Sequence, residues 1–424
     1  MTWTRPAAVL AAVVMLAAGS SPVLAARSGG RDQSFAGDGV AVLDFGPRAD
    51  GAAAGDVLVT SSDKVVTVGP VGVGADTVFG VSRLRADGTP DRSFHGTGRR
   101  LTSLTGRDVP RRVIALGGGR QLVGGSAGDA FGLVAYRRDG SPDPGFGTGG
   151  AVTTDVTAGP DQVLDLRRRP DGSILAAGTA GEGFAIVRYR PDGTLDPGFG
   201  DAGVVVTTAG FWGTPNAVRL QPDGRLLVVG SSEPDAHGYL GFAVMRYTAD
   251  GTLDETFGGG DGLVTTYPPG REYSRAWAVL VLPDGRLVVG GGGYGEGDYS
   301  YFCLARYLAD GTPDSTFGQD GVLSTWLQPY YAHVNALARQ GDGKIVAAGW
   351  TDGEDWSDAL AVVRYHPDGT LDRAFSHDGS AVVDLAQRTA EARAVATRNG
   401  KIVLAGEMAS YAGRRWAIVV RYRQ

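Results

Sequence analysis

The segment Met245–Gly258 reads Met-Arg-Tyr-Thr-Ala-Asp-Gly-Thr-Leu-Asp-Glu-Thr-Phe-Gly, and variants of it recur along the chain. The aspartate three residues before the phenylalanine marks each copy, and neighbouring copies lie 52 to 60 residues apart. The marker aspartates are Asp32, Asp91, Asp143, Asp196, Asp254, Asp314 and Asp372. Self-similarity at a fixed period of this length is typical of solenoids and propellers.

A second recurring segment, Ala217–Gly230, places Pro-Asp-Gly-Arg ahead of a continuous apolar run. Asp-Gly between two apolar runs is a strong hairpin signal, because glycine adopts a positive φ without strain. Each repeat is therefore predicted to contain four strands. In the fourth repeat these are strand a (217–221), strand b (226–229), strand c (242–247) and strand d (263–266).

Seven such units predict an all-β fold, a seven-bladed β-propeller of four-stranded antiparallel blades. The expected mature chain begins with Asp32 and a strand-d-like run, Val40–Phe45, and the sequence ends just after a strand c, at Gln424. We therefore predict that the N-terminal strand pairs with the C-terminal strands and closes the ring. An open solenoid would instead leave exposed edge strands.

The patterns Arg-Tyr-x-Pro-Asp-Gly-Thr-Leu-Asp-x-x-Phe-Gly and Leu-x-Pro-Asp-Gly-Arg-x-x-Val-x-Gly occur at 188–200 and 220–230. In these patterns the chain resembles the delta-60 repeat family of secreted bacterial β-propellers. The resemblance covers essentially all of residues 32–424. It implies a propeller fold and assigns no chemistry, because propellers serve as binding modules and as enzymes alike.

Composition agrees with a β-rich fold. Of 424 residues, 68 are glycine and 21 are proline. Glycine alone is about 16%, against a usual value of about 7%, which excludes a helix bundle or a coiled coil. The net charge of −6 argues against nucleic-acid binding. The single cysteine, Cys303, excludes an intramolecular disulfide.

The first 26 residues are predicted to be a secretory signal peptide. Arg5 supplies the positive charge, Ala7–Ala18 is a short apolar run, and cleavage is expected after Ala25 or Ala26. Residues 27–31 form a short linker, and residues 32–424 form a single propeller domain. No second apolar stretch is long enough to cross a bilayer. We therefore expect a secreted, monomeric protein with no membrane span.

Several motifs that could suggest chemistry are interpreted as structural. Gly145–Gly150 matches the glycine pattern of dinucleotide-binding sites, and Gly124–Gly128 matches that of a nucleophile elbow. Both kinds of site need a helix directly after the glycines, and no helix is predicted after either segment. The Asp-Gly turns lack a full calcium ligand set, and the five histidines share no metal-ligand spacing. We expect no catalytic residue, metal or cofactor. Cys303 replaces an alanine of other repeats and is expected to be buried and inert.

A feature present in every blade is expected to be structural, since a single site must break the symmetry of the ring. The arginines that end strand c are therefore assigned a structural role as partners of the turn aspartates. They are Arg83, Arg188, Arg246, Arg306, Arg364 and Arg421, with Ala135 as the exception.

Two features do break the symmetry. The b–c and d–a loops share one face of the ring, and only in repeats 4–7 do they carry aromatic residues. The candidate ligand-binding residues among these are Trp212, Tyr267, Trp277, Tyr294, Trp326, Tyr330, Trp350 and Trp356. Polar residues that enter strand a also differ between blades and are predicted to ring the mouth of the central channel. These are Asp56, Arg112, Gln162, Asn216, Asn335 and Arg393.

The sequence therefore favours an exported, non-enzymatic binding or scaffold protein that recognises an envelope saccharide or a protein partner through the aromatic loops. One alternative is a secreted propeller enzyme, a lactonase-like hydrolase or a sugar dehydrogenase, with its site at the channel mouth. Another is a purely structural surface module.

Overall fold

The computed structural model describes residues 30–207, 213–232, 238–270, 273–294, 299–327, 331–353, 357–383, 385 and 388–423, with only the backbone of 213–214. The predicted signal peptide lies outside these residues. Over the described ranges the chain forms 29 β-strands and no helix. Correspondingly, the described residues contain no helix that could cross a membrane.

The strands group into seven blades in chain order. Blade 1 contains β2 (Gly51–Ala52), β3 (Asp56–Val59), β4 (Val65–Val73), β5 (Asp76–Leu84) and β6 (Arg99–Thr102). Blade 2 contains β7 (Asp108–Gly117), β8 (Arg120–Ala127), β9 (Ala130–Tyr136) and β10 (Ala151–Thr154). Blade 3 contains β11 (Asp161–Arg168), β12 (Ile174–Ala180), β13 (Gly183–Tyr189) and β14 (Val204–Thr207). Blade 4 contains β15 (Gly213–Leu220), β16 (Leu226–Ser232), β17 (Phe242–Tyr247) and β18 (Leu263–Thr266).

The last three blades follow the same plan. Blade 5 contains β19 (Tyr273–Val281), β20 (Leu287–Tyr294), β21 (Ser300–Tyr307) and β22 (Val322–Thr325). Blade 6 contains β23 (Ala332–Arg339), β24 (Ile345–Asp352), β25 (Asp358–Tyr365) and β26 (Ser380–Val383). Blade 7 contains β27 (Arg388–Arg398), β28 (Lys401–Ser410), β29 (Arg415–Tyr422) and, from the other end of the chain, β1 (Val40–Leu43). The predicted seven-bladed propeller is confirmed.

The ring closes through strands from both ends of the chain. β1 pairs antiparallel with β29, in a register that sets Val40 opposite Val420. Next to this ladder, Nε of Arg421 donates to Oδ2 of Asp32 at 2.8 Å, with both side chains buried. The edge of the last blade is therefore covered by the first strand of the chain. This is the pairing predicted from a strand d at the N-terminus and a last repeat that ends after strand c.

Each strand-c arginine pairs with the marker aspartate of its own blade, and four of them also donate to a backbone carbonyl of the next blade: Arg83, Arg246, Arg306 and Arg421. Nε of Arg246 donates to Asp254 at 2.7 Å, and the guanidinium lies 4.5 Å from the ring centroid of Phe257. The same guanidinium donates to the carbonyl of Ala309, in the turn of blade 5. The pairs repeat as Arg83–Asp91, Arg188–Asp196, Arg306–Asp314, Arg364–Asp372 and Arg421–Asp32. The structural role predicted for these arginines is thus confirmed.

The core lies between neighbouring blades, where strands b and c are covered on both faces. Leu227 and Val229 of blade 4 belong to one buried cluster with Leu287, Val289 and Cys303 of blade 5. Cys303 is completely buried, as predicted. Because these strands are apolar on both sides, they appear in the sequence as continuous rather than alternating hydrophobic runs.

Candidate functional site

A β-bulge in the innermost strand of blades 2 to 7 aims one side chain at the centre of the ring. In β23 the pairing with β24 skips Asn335, and in β19 the pairing with β20 skips Trp277. A bulge adds one residue to one strand and re-aims its side chain. The other bulged residues in described pairings are Arg111, Leu164, Asn216 and Arg393.

The glycine that ends the Val-x-Gly pattern makes room for this bulge. A Cβ on Gly349 would lie 1.9 Å from the carbonyl oxygen of His333, and one on Gly291 would lie 1.8 Å from that of Arg275. No other residue fits such a close approach of two backbones. The recurring glycine is therefore required by the feature that builds the channel lining.

The seven inner strands enclose a central cavity of about 560 Å³. Every blade contributes to its wall, so the cavity is the channel of the propeller. All six candidate channel-mouth residues lie in this lining, and so does the candidate aromatic residue Trp277. They are Asp56, Arg112, Gln162, Asn216, Asn335 and Arg393.

Two of these residues belong to an ion network that joins blades 1 to 4. Nη1 of Arg112 lies 3.3 Å from Asp56, and its Nε lies 3.0 Å from Oδ1 of Asp165. Arg219 of blade 4 donates to the same Asp165 oxygen at 2.9 Å. Burial disfavours the charge of Arg112, but Asp56 and Asp165 outweigh it and hold the pKa of Arg112 above its usual value. This network ties the inner strands together.

A second network lies on the blade 7 side of the channel. Nη2 of Arg393 lies 2.6 Å from Oε1 of Glu391 and 3.0 Å from Oε1 of Glu407. Arg415 lies 3.5 Å from Glu407 and completes the group. The asparagines at the bulges of blades 4 and 6 make neutral contacts instead, since Nδ2 of Asn216 and of Asn335 each donates at 2.9 Å to a carbonyl of the next blade.

An aromatic cluster borders the channel at blades 5 and 6. The ring of Trp277 stacks on His333, with centroids 5.6 Å apart and planes at 14°. The ring of Trp350 lies edge-on to His333 with centroids 4.8 Å apart, and its Nε1 donates to Nε2 of His333 at 2.8 Å. An accepting Nε2 carries no proton, so His333 is the neutral tautomer with its proton on Nδ1. Burial lowers the pKa of His333 to about 4, against smaller opposing effects of Glu391 and Asn335.

Further aromatic pairs lie at the loop ends of the same two blades. Tyr294 and Tyr331 are 6.0 Å apart, and Tyr299 and Trp326 are 6.4 Å apart in an edge-on arrangement. The indole of Trp326 is 51% exposed, so it presents apolar area to solvent. We call this surface the aromatic face, and it comprises Trp277, Tyr294, Tyr299, Trp326, Tyr331, His333 and Trp350.

The remaining aromatic candidates are Tyr267 and three residues that the structure does not describe. Tyr267, which follows β18 in blade 4, is 41% exposed. Trp212, Tyr330 and Trp356 lie outside the described residues. Several aromatic side chains that were expected in loops are found on strands: Trp277 lies on β19, and Trp350 on β24.

A pair of carboxyl groups lies close to this face in blade 6. Asp352 and Asp358 occupy paired positions on β24 and β25, and the backbone N–H of Tyr331 donates to Asp352 at 3.0 Å. Burial raises the pKa of Asp358, and the charges of Glu391 and Asp352 raise it further; burial also raises the pKa of Asp352. Among the described side chains, no three His, Cys, Asp or Glu residues are placed to hold a metal ion.

Sequence reasoning missed Arg111 because it lacked the position of the bulge, and it also missed His333 and Glu391, which lie two residues before the bulged residues of blades 6 and 7. It selected Arg112 and Gln162, whereas the bulged residues of those blades are Arg111 and Leu164. The glycine opposite the bulge supplies the missing signal, since the bulged residue lies 14 positions before it in blades 2 to 6 and 13 positions before it in blade 7.

A closed ring of seven antiparallel blades around a lined channel defines a β-propeller. Five segments of the chain match the family described as "Domain of unknown function (DUF5122) beta-propeller": 60–94, 169–199, 221–257, 282–317 and 340–375. They fall in blades 1, 3, 4, 5 and 6, and these matches together with the seven-bladed ring support a propeller repeat family. No curated protein matches the sequence.

Several solved structures share the general shape at low similarity. Sqt1 from Chaetomium thermophilum aligns at 13% identity and a TM-score of 0.44, covering 89% of this chain and 100% of its own. The polysaccharide lyase Uly1 aligns at 12% identity and a TM-score of 0.46, covering 90% and 91%. A glucose dehydrogenase aligns at 14% identity and a TM-score of 0.41, covering 73% and 95%. At these low values the similarities carry no conclusion about function.

Proposed function

We propose that this propeller is an exported, non-enzymatic binding protein that recognises a saccharide of the cell envelope through the loop face of repeats 4–7, centred on the aromatic face of blades 5 and 6. The observation that carries the proposal is the grouping of Trp277, Trp350, Tyr294 and Trp326 on adjacent blades. Apart from the buried Phe45, the b–c and d–a loops of repeats 1–3 carry no aromatic residue, so this grouping breaks the symmetry of the ring.

The chemistry of the face supports a saccharide. Aromatic rings provide large, rigid contact areas at low entropic cost, and the apolar faces of sugar rings stack on them. Trp326 is half exposed, whereas Trp277 borders a polar cavity of about 560 Å³. Sites that bind small molecules combine apolar walls with a few placed polar groups, in volumes of about 300–1,000 Å³. A protein partner is the other ligand class that such a face could accept.

Export is part of the proposal. The predicted signal peptide at residues 1–26 and the resemblance to secreted delta-60 repeat propellers both support it. The burial of Cys303 fits an oxidising compartment, because an inaccessible thiol is protected from forming a wrong disulfide.

Binding to a glycan array, followed by titration of the best glycan, tests the proposal. Trp326→Ala should weaken binding about tenfold, because stripping a large exposed ring from a contact removes roughly 1–2 kcal/mol. Its melting temperature should stay unchanged, since Trp326 is half exposed. The matched control is Leu308→Ala, an exposed apolar residue of the same blade on the opposite face. Equal affinities of the two variants would contradict the proposal.

A secreted propeller enzyme, either a lactonase-like hydrolase or a sugar dehydrogenase, is the second candidate. One observation favours it: the adjacent carboxyl groups of Asp352 and Asp358 have raised pKa values, and enzymes tune general acids in this way. Lactone hydrolysis and sugar oxidation by the purified protein, compared with Asp358→Asn, test this candidate. Turnover that is lost in the variant would favour the enzyme over the binding protein.

A further inference from the structure

The charged groups around the channel balance one another, with one exception. Asp56, Arg112, Asp165 and Arg219 form the first ion network, which holds two carboxylates and two guanidiniums. The second network, described above, likewise sets Arg393 and Arg415 against Glu391 and Glu407. Both networks are therefore neutral.

Arg111 is the exception. It is the bulged residue of β7, it lines the cavity and it is exposed to it. Within the described part of the chain its guanidinium has neither a carboxylate at ion-pair distance nor a hydrogen bond. Partial desolvation by the channel wall lowers the pKa of Arg111, and the positive charge of Arg393 lowers it further. An uncompensated charge in a recess is costly, and an anion would remove that cost.

We propose that the central cavity is the subsite for the carboxylate of an acidic saccharide, a uronic acid residue, held by the guanidinium of Arg111. This inference rests on the proposed function and adds the charge of the ligand to it. A single unpaired arginine suits a singly charged carboxylate, which it can bind through two parallel N–H···O bonds. A phosphate, with close to two negative charges, would need a second unpaired cation.

The neighbours of Arg111 in the cavity suit the rest of a sugar. Gln162 and Thr179 add an amide and a hydroxyl group to the lining, and Trp277 adds an aromatic wall from blade 5. Because Trp277 also stacks on His333, the cavity and the aromatic face share a residue. A glycan chain that lies on the aromatic face can therefore place one acidic residue in the channel.

The test uses oligogalacturonides, the same oligosaccharides after reduction of their carboxyl groups, and hexaglutamate as an acidic peptide. The full chain is titrated with each probe as wild type, as Arg111→Gln and as the control Arg92→Gln, an exposed arginine away from the channel. We expect the acidic glycan to bind wild type and Arg92→Gln equally and Arg111→Gln about tenfold or more weakly, since a charge-assisted bond is worth roughly 1.5–3 kcal/mol. The reduced glycan should bind all three proteins alike. The melting temperatures of the variants should match.

The other outcomes separate the two proposals. Equal binding of acidic and reduced glycans to wild type would overturn the carboxylate subsite and leave the saccharide function in place. Binding of hexaglutamate alone would overturn both and favour a protein partner. Binding of no probe would also overturn both. Acidic glycan binding that Arg111→Gln leaves unchanged would remove Arg111 from the site.

Discussion

Replacing Gly349 by alanine tests how the fold positions the channel residues. A Cβ on Gly349 would lie 1.9 Å from the carbonyl oxygen of His333 and 3.1 Å from the backbone nitrogen of Asn335. Real Cβ atoms essentially never approach a heavy atom closer than 3.0 Å. The bulge of β23 must therefore move by roughly 1 Å, and it would carry Asn335 and His333 away from their partners.

The expected cost is about 3 kcal/mol, the upper end of the range for overpacking, because the obstructing atom is backbone. With an unfolding entropy of about 2.1 cal/mol/K per residue, the propeller of roughly 390 residues should melt about 4 °C lower. Differential scanning calorimetry measures this shift, and near-ultraviolet circular dichroism should show a changed environment of Trp350, whose indole bonds to His333.

Gly341→Ala is the matched control in the same blade, because a Cβ there meets nothing within 4 Å. It should change stability by no more than about 0.5 kcal/mol, as is usual at the surface. If both alanine variants melt at the temperature of wild type, the glycines are not required by the bulge and the account of the channel lining is wrong.

Three further predictions concern ring closure, the cysteine and pH. Deleting residues 27–46 removes β1 and Asp32, so it should cause association or a drop in melting temperature well beyond 4 °C; a monomer of unchanged stability would refute closure by β1. Cys303 should react with a thiol reagent only as fast as the protein unfolds, and rapid stoichiometric labelling would contradict its burial. The pKa of His333 is about 4 in the folded protein and about 6.5 when unfolded, so the unfolded chain binds the proton first as pH falls. The stability contributed by neutral His333 should therefore decrease from about pH 6.5 to pH 4 and stay constant above pH 6.5. A His333→Gln variant that loses the same stability between these two pH values would refute the assignment.

Local signals in the sequence suffice for most of the fold. The predicted strands 242–247 and 263–266 have the bounds observed for β17 and β18, because Asp-Gly turns and apolar runs fix both ends of each hairpin. Strand b was predicted to end at residue 229, yet β16 continues to Ser232. The backbone ladder continues past the apolar run into the small polar residues of the loop face.

The site was less predictable because its contacts join residues from different blades. Asp56 and Arg112 were both identified in the sequence, but their pairing with each other and with Asp165 depends on how neighbouring blades dock. Likewise, the stacking of Trp277 on His333 joins blades 5 and 6. No spacing within one repeat encodes these contacts.

A crystal structure of the propeller with the glycan that it binds best tests the central claim most directly. The account predicts a saccharide on the loop face, with a sugar ring stacked against Trp326 or Trp277 and an acidic residue within hydrogen-bond distance of Arg111. Density for the glycan on the Asp-Gly turn face, or over blades 1 to 3, would contradict the claim that the aromatic face of blades 5 and 6 is the recognition surface.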